Sequence, residues 1–230
     1  MKSLFLILAL GATAFAQTPS GAAHPSASKA PAPHKASTAA PAAVSLLRPS
    51  TLRAIAPATF NAKFATTKGD FVVHVTRSWA PKGADRFYNL VKNGFFTDCA
   101  FFRYVPNFIV QFGVSPDPRI ARAWQTANLT DDPLVHSNTA GTVVFANAGA
   151  NTRTTQLFIN LVDNTRQLDP PQQVGFSPFG QVTSGMDVVQ NLYSGYGERP
   201  DQTLMTNQGK AYLEKNFPKL DTIKSATIVP

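Results

Sequence analysis

The sequence predicts a mostly β fold, a closed and mainly antiparallel barrel capped by two or more helices. Three observations predict it. From residue 58 onward, short runs with a side-chain period of two recur along the chain. Glycine, proline, asparagine and aspartate punctuate those runs, as they do between strands. Only two or three stretches carry a helical period, so strands dominate and helices cap. With 230 residues, 43% of them hydrophobic, the chain has enough material for a substantial core.

Taken in order, residues 60–66 and 70–77 alternate in polarity around Thr67-Lys68-Gly69, which reads as a hairpin with a glycine in its turn. Ala80-Pro81 opens a helix running to Lys92, because proline at the first helical turn gives up an N–H that has no partner there. Ala84, Phe87, Tyr88 and Val91 fall on one stripe of that helix, its core face, and Asn93-Gly94 ends it with a residue suited to the left-handed cap. Two short strands follow. In the first, Phe101, Arg103 and Val105 share one face while Phe102 and Tyr104 share the other. Beyond Pro106-Asn107, Ile109 and Gln111 alternate with Phe108, Val110 and Phe112. Arg103 and Gln111 therefore meet at a surface floored by aromatic rings. A cation is costly there, so it is either paired with a carboxylate at a strand edge or put to use. Residues 115–138, rich in proline and aspartate, read as a loop. Strands are expected over 141–145, 156–161 and 179–183, helices over 185–193 and 209–216, and a closing strand over 222–229.

Residues 1–16 have the form of a secretory signal peptide: Lys2, an apolar run from Leu4 to Ala14, and Ala14-Phe15-Ala16 before a mature start at Gln17. The run is too short to span a bilayer, so export to periplasm or medium is expected without a membrane span. Residues 17–57 are rich in Ala, Pro, Ser and Thr and read as a disordered linker, placing the folded domain at 58–230. Five basic residues and no acidic one lie in residues 1–57, leaving 16 basic against 13 acidic residues on the remainder of this +8 chain. Positive charge on an arm rather than on the domain argues against nucleic acid as a partner. Cys99 has no partner in the chain and is expected to be a buried small hydrophobe; four scattered histidines with one cysteine form no metal-ligand pattern.

Hydrolysis, phosphoryl transfer and hydride transfer all lack their parts: there is no Gly-rich phosphate loop, no nucleophile elbow, and no carboxylate pair near a His or Cys. Two long stretches point elsewhere. Phe101-Phe102-Arg103-Tyr104-Val105-Pro106-Asn107-Phe108-Ile109-Val110-Gln111-Phe112-Gly113 lies close to F-H-R-x-x-P-x-F-x-x-Q-x-G, and residues 146–159 lie close to A-N-x-G-x-N-T-x-x-x-Q-F-F-I. Together they resemble the cyclophilin family of peptidyl-prolyl cis-trans isomerases, over roughly residues 58 to 230. The resemblance implies an eight-stranded barrel, no cofactor, and action as a monomeric folding enzyme on proline-containing unfolded or partly folded polypeptides. It makes Arg103 the catalytic donor. Phe108, Ile109, Phe158 and Leu168 match the proline pocket, and Gln111, Ala146, Asn147 and Gln156 match positions that bind peptide backbone or orient the arginine. Several positions depart from the pattern. Phe102 replaces the usual histidine, Ile109 a common methionine, and Gln167 stands where many members have tryptophan. The pocket-wall histidine is missing, leaving Phe176 or Phe179 to fill its space, and residues 198–220 form an excursion beyond a minimal domain. A proline-peptide holdase and an envelope tether are the alternative readings.

Overall fold

The computed structural model describes residues 45–171 and 174–230. The expected signal peptide and residues 17–44 of the expected linker lie outside the described residues. The hairpin is β1 (Thr59–Thr66) and β2 (Gly69–Thr76), in register from Thr59 opposite Thr76 to Thr66 opposite Gly69. Its inward positions Phe60, Ala62 and Phe64, with Phe71, Val73 and Val75, are buried, as period-two alternation requires. Helix α1 (Pro81–Lys92) lays Ala84, Phe87, Leu90 and Val91 into the same core. It ends in a Schellman motif: Gly94 takes φ of 69°, its N–H donates to Val91 O, and Phe95 N–H donates to Leu90 O.

The remaining elements are β3 (Arg103–Val105), β4 (Ile109–Phe112), α2 (Pro118–Trp124), β5 (Thr142–Phe145), β6 (Leu157–Asn160), α3 (Thr165–Leu168), β7 (Gly180–Ser184), α4 (Met186–Gln190), α5 (Gln202–Gln208), α6 (Lys210–Asn216) and β8 (Ile223–Val229). The eight strands form one antiparallel sheet in the order β3-β4-β6-β5-β7-β2-β1-β8. Rings of Phe64, Phe71, Phe87, Phe96, Phe101 and Phe112 pack against one another inside its curve.

Four expectations need correction. The barrel does not close, because edge strands β3 and β8 form no ladder. They approach only through a bridge between Ala100 and Thr222 and single bonds such as Phe101 N–H to Asp221 O. The outer edge of β3 is already taken, since Tyr104 N–H donates to Gly197 O. Second, the segment 115–138 contains α2, whose start Asp117 secures by accepting from Arg119 N–H while Pro118 fills the first turn. Third, residues 45–57 of the expected linker dock on α1. Leu46 and Ala56 are buried, and Asn89 exchanges bonds with both the N–H and the carbonyl of Ala54. Fourth, Phe102 does not share a face with Tyr104. Tyr104 and Phe101 join the main core, while Phe102 packs with Val114, Ala121 and Met205 in a second cluster under α2 and α5.

Cys99 lies fully buried in the main core, donating to Phe95 O. Burial, with the Asp98 carboxylate adding to it, pushes its thiol far above the ordinary range. The native protein is therefore expected to resist a chromogenic disulfide reagent for hours and to react within minutes once unfolded in guanidinium. Rapid labelling of native protein would place the thiol at the surface instead.

Candidate active site

Strand register builds the site. Arg103 on β3 stands opposite Gln111 on β4, Gln111 opposite Phe158 on β6, and Phe158 opposite Val144 on β5. Directly opposed residues share a face, so these four form one row across the sheet. With strands about 4.8 Å apart, Arg103 and Phe158 stand roughly 10 Å from each other along it. Ile109, Gln156 and Ala146 lie two residues from a member of the row and face the same way. The alternate positions, Tyr104, Val110, Phe112, Phe145, Leu157 and Ile159, point into the main core.

Two surfaces result. At one end a polar relay runs from Arg103, whose side chain is only 17% exposed. Arg103 Nη1 donates to Gln111 Oε1 at 3.2 Å, Gln111 Nε2 to Gln156 Oε1 at 2.7 Å, and Gln156 Nε2 to Gln202 Oε1 at 3.0 Å. Arg103 Nε donates to Glu198 Oε1 at 2.7 Å. At the other end Ile109, Val144, Phe158 and Leu168 form an apolar cluster separate from the main core, flanked by Phe108, Ala146 and Phe176. Phe176 meets Phe158 edge to face at 5.8 Å, so it fills the wall that lacks a histidine, whereas Phe179 is committed to the main core.

Gly113 makes the relay possible. It holds φ of 99°, and a Cβ there would run into the Thr155 carbonyl, so only glycine lets residues 155–156 come close enough for Gln156 to reach Gln111. Behind the apolar cluster lies a buried amide network. Asn164 Nδ2 donates to Phe108 O and Asn160 Oδ1; Asn160 Nδ2 donates to Asn138 Oδ1; Asn138 Nδ2 donates to Phe176 O and Asp169 Oδ1. The backbones carrying Phe108, Phe176 and Leu168 are thereby tied to one another. Asn147 sits at the rim, its side chain donating to Val174 O and accepting from Gly149 N–H.

All nine sequence-predicted site residues therefore gather on one face or its rim. The structure adds Val144, Glu198 and Gln202. Val144 was readable from its period-two relation to Ala146. Glu198 and Gln202 carried no signal, because nothing in a polar excursion tells which residue folds back. Among the described residues no group of three or more His, Cys, Asp or Glu side chains is placed to hold a metal ion. What remains is a held cation with N–H groups to spare beside an apolar floor. Such a site can bind a small ring and stabilise a developing lone pair without moving a proton.

Comparison with known proteins agrees with this chemistry. Residues 61–209 match the family described as "Cyclophilin type peptidyl-prolyl cis-trans isomerase/CLD". The peptidyl-prolyl cis-trans isomerase ppi1 of Schizosaccharomyces pombe is 33% identical over 138 residues, covering 57% of this chain and 84% of that protein. A peptidyl-prolyl cis-trans isomerase of Acinetobacter baylyi is 30% identical over 128 residues, covering 55% of this chain and 68% of that protein. Among solved structures, a cyclophilin-type isomerase of Cryptosporidium parvum superposes with a TM-score of 0.53 at 18% identity, covering 75% of this chain and 98% of that one. The same protein was also crystallised in the presence of the dipeptide Ala-Pro.

Proposed function

This chain belongs to the cyclophilin-type peptidyl-prolyl cis-trans isomerases, and we propose that it turns X–Pro bonds of unfolded or partly folded exported polypeptides on the row that runs from Arg103 to Val144. One observation supports the assignment most: the register that sets Arg103 and Phe158 about 10 Å apart on a single face. Rotation about an X–Pro bond meets a barrier of about 20 kcal/mol because amide resonance must be broken, and uncatalysed exchange takes tens of seconds. At the twisted geometry the prolyl nitrogen pyramidalises and regains a lone pair. The proline ring seats on Phe158, Ile109, Leu168 and Phe176. A guanidinium N–H of Arg103 reaches the lone pair, and Gln156 with the rim residues Ala146 and Asn147 holds the flanking backbone. No proton is transferred and no covalent bond forms.

The test is cis-to-trans exchange of a short X–Pro peptide, read by NMR exchange spectroscopy at several peptide concentrations. Phe176→Ala is expected to raise KM about tenfold with kcat little changed, since it removes ~1.4 kcal/mol of apolar contact made equally in ground and transition states. Unchanged KM would move the ring elsewhere. The signal-like form of residues 1–16 is what supports the exported setting. N-terminal sequencing of the protein from fractionated cells is expected to begin at Gln17; recovery of an uncleaved chain from the cytosol would refute it.

A further inference from the structure

The excursion beyond β7 returns to the site at two points, Glu198 and Gln202, and both end on the machinery just described. Arginine has five N–H groups in a fixed plane. Glu198 Oε1 takes the Nε–H and pairs with Nη2 at 2.5 Å, while Gln111 Oε1 takes one N–H of Nη1. One N–H on Nη1 remains, and Nη2, in ion-pair contact with Glu198, forms no hydrogen bond of its own. Without Glu198, Gln111 would be the only side chain bonded to the head, and a guanidinium held at one point swings about the torsions of its stem. With it, both flanks are gripped and the spare donors keep one direction.

Glu198 is itself held in place. Gly197 just before it accepts from Tyr104 N–H of β3, the residue next to Arg103. Asp201, three residues after it, caps α5 by accepting from Leu204 N–H, and Met205 one turn later is buried against Phe102, Val114 and Ala121. The carboxylate thus stands on a short segment pinned at both ends. Its side chain is 58% exposed, so its pairing adds little to folding, and its placement is better explained by what it does to Arg103.

We propose that Glu198 is a positioning residue for isomerisation, fixing the plane of the Arg103 guanidinium so that its free N–H groups point along the row toward the prolyl nitrogen. The proposal rests on the assignment of Arg103 as the donor. It places a determinant of turnover in the excursion outside the two sequence motifs.

Its test compares Glu198→Ala and Glu198→Gln with wild type, in the full chain and in an Arg103→Ala background, by X–Pro peptide exchange. Glu198→Ala is expected to lower kcat about tenfold with KM within twofold and the melting temperature unchanged, because orientation counts at the transition state. Glu198→Gln keeps an oxygen at the same distance and is expected to recover most of that loss. In the Arg103→Ala background neither substitution should have any further effect. A Glu198→Ala enzyme with unchanged kcat, or a faster one in which the carboxylate had been competing with substrate, would overturn the proposal. So would a loss that persists in the Arg103→Ala background. Full turnover by Arg103→Ala alone would instead refute the assignment of the donor, a separate outcome.

Discussion

Arg103→Ala is expected to lower kcat/KM for an X–Pro peptide by about 10²–10³-fold, on the scale seen when one preorganised donor is removed from a developing negative centre. The loss should lie in kcat, since the lone pair that Arg103 meets exists only in the twisted state. The fold should survive. The ion pair with half-exposed Glu198 contributes little in water, and Gln111 keeps its bond to Gln156 when its oxygen loses Nη1. One orphaned acceptor costs about 1 kcal/mol, a fall of roughly 3 °C in melting temperature. Arg103→Lys should rescue little. A lysine is a point charge and cannot satisfy Glu198 on one flank and Gln111 on the other while keeping a planar set of donors aimed along the row. Exchange spectroscopy beside a circular-dichroism melt separates the two readouts. Turnover within threefold of wild type from folded Arg103→Ala would end the assignment.

The site was legible because a sheet turns sequence spacing into geometry. Arg103, Ile109 and Gln111 were separable from Tyr104, Val110 and Phe112 by parity alone, and the structure keeps that division. What parity could not give was the break at Phe102. It lies just outside β3, where strand geometry has lapsed, so counting by twos no longer says where its ring points. Helix α2 was hidden by composition. Proline and aspartate make a stretch look like loop, yet Asp117-Pro118 is also a good helix start, and only the buried Ile120, Ala121 and Trp124 decide between them. Residues 45–57 were misread for a related reason. Leu46, Leu47, Leu52 and Ile55 show no periodicity that marks a folded segment, and what fixes it is Trp124 donating to Leu46 O and Asn89 bonding Ala54, partners far away in sequence. Closure of the barrel likewise depended on which backbone reached the edge of β3, and Gly197 gave no advance sign of doing so.

Two departures from the family pattern turn out to be one feature. Phe102 stands where a histidine is usual, and the excursion is extra chain; in the structure Phe102 packs on Met205 of that excursion, with Tyr212 and Leu213 alongside. A polar ring at 102 would sit badly in that apolar cluster. The excursion needs the phenyl ring to anchor it, and once anchored it delivers Glu198 and Gln202 to the relay.

The largest stability effect is expected at Arg153, inside the loop that carries Ala146, Asn147 and Gln156. Its side chain is fully buried between two carboxylates. Nη2 bonds Asp132 Oδ2 at 3.0 Å and also the Thr130 carbonyl, while Nε lies 3.3 Å from Asp131 Oδ1 without hydrogen-bond geometry. Asp132 in turn accepts from the N–H groups of Lys82 and Gly83, each at 3.0 Å, supplying the cap that Ala80 cannot give α1. Asp131 accepts from Asn151 N–H in the same loop. Arg153 therefore neutralises two carboxylates that join α1, residues 130–132 and the loop that carries Ala146, Asn147 and Gln156. Replacing it by alanine leaves both charges without their buried counter-ion, which costs about 3–5 kcal/mol, or roughly 10 °C in melting temperature. A small offset comes from Arg86, which burial, with the Arg153 charge adding, pushes down to about 10 and which would lose that repulsion. Arg153→Met restores volume but not charge and should do little better. Adding Asp131→Asn and Asp132→Asn to Arg153→Met should recover part of the loss, since the penalty is uncompensated charge rather than a cavity. Urea unfolding midpoints of the three variants read this directly. A cost below 1 kcal/mol for Arg153→Ala, or no recovery on neutralising the aspartates, would show that the buried cation is not what holds the loop.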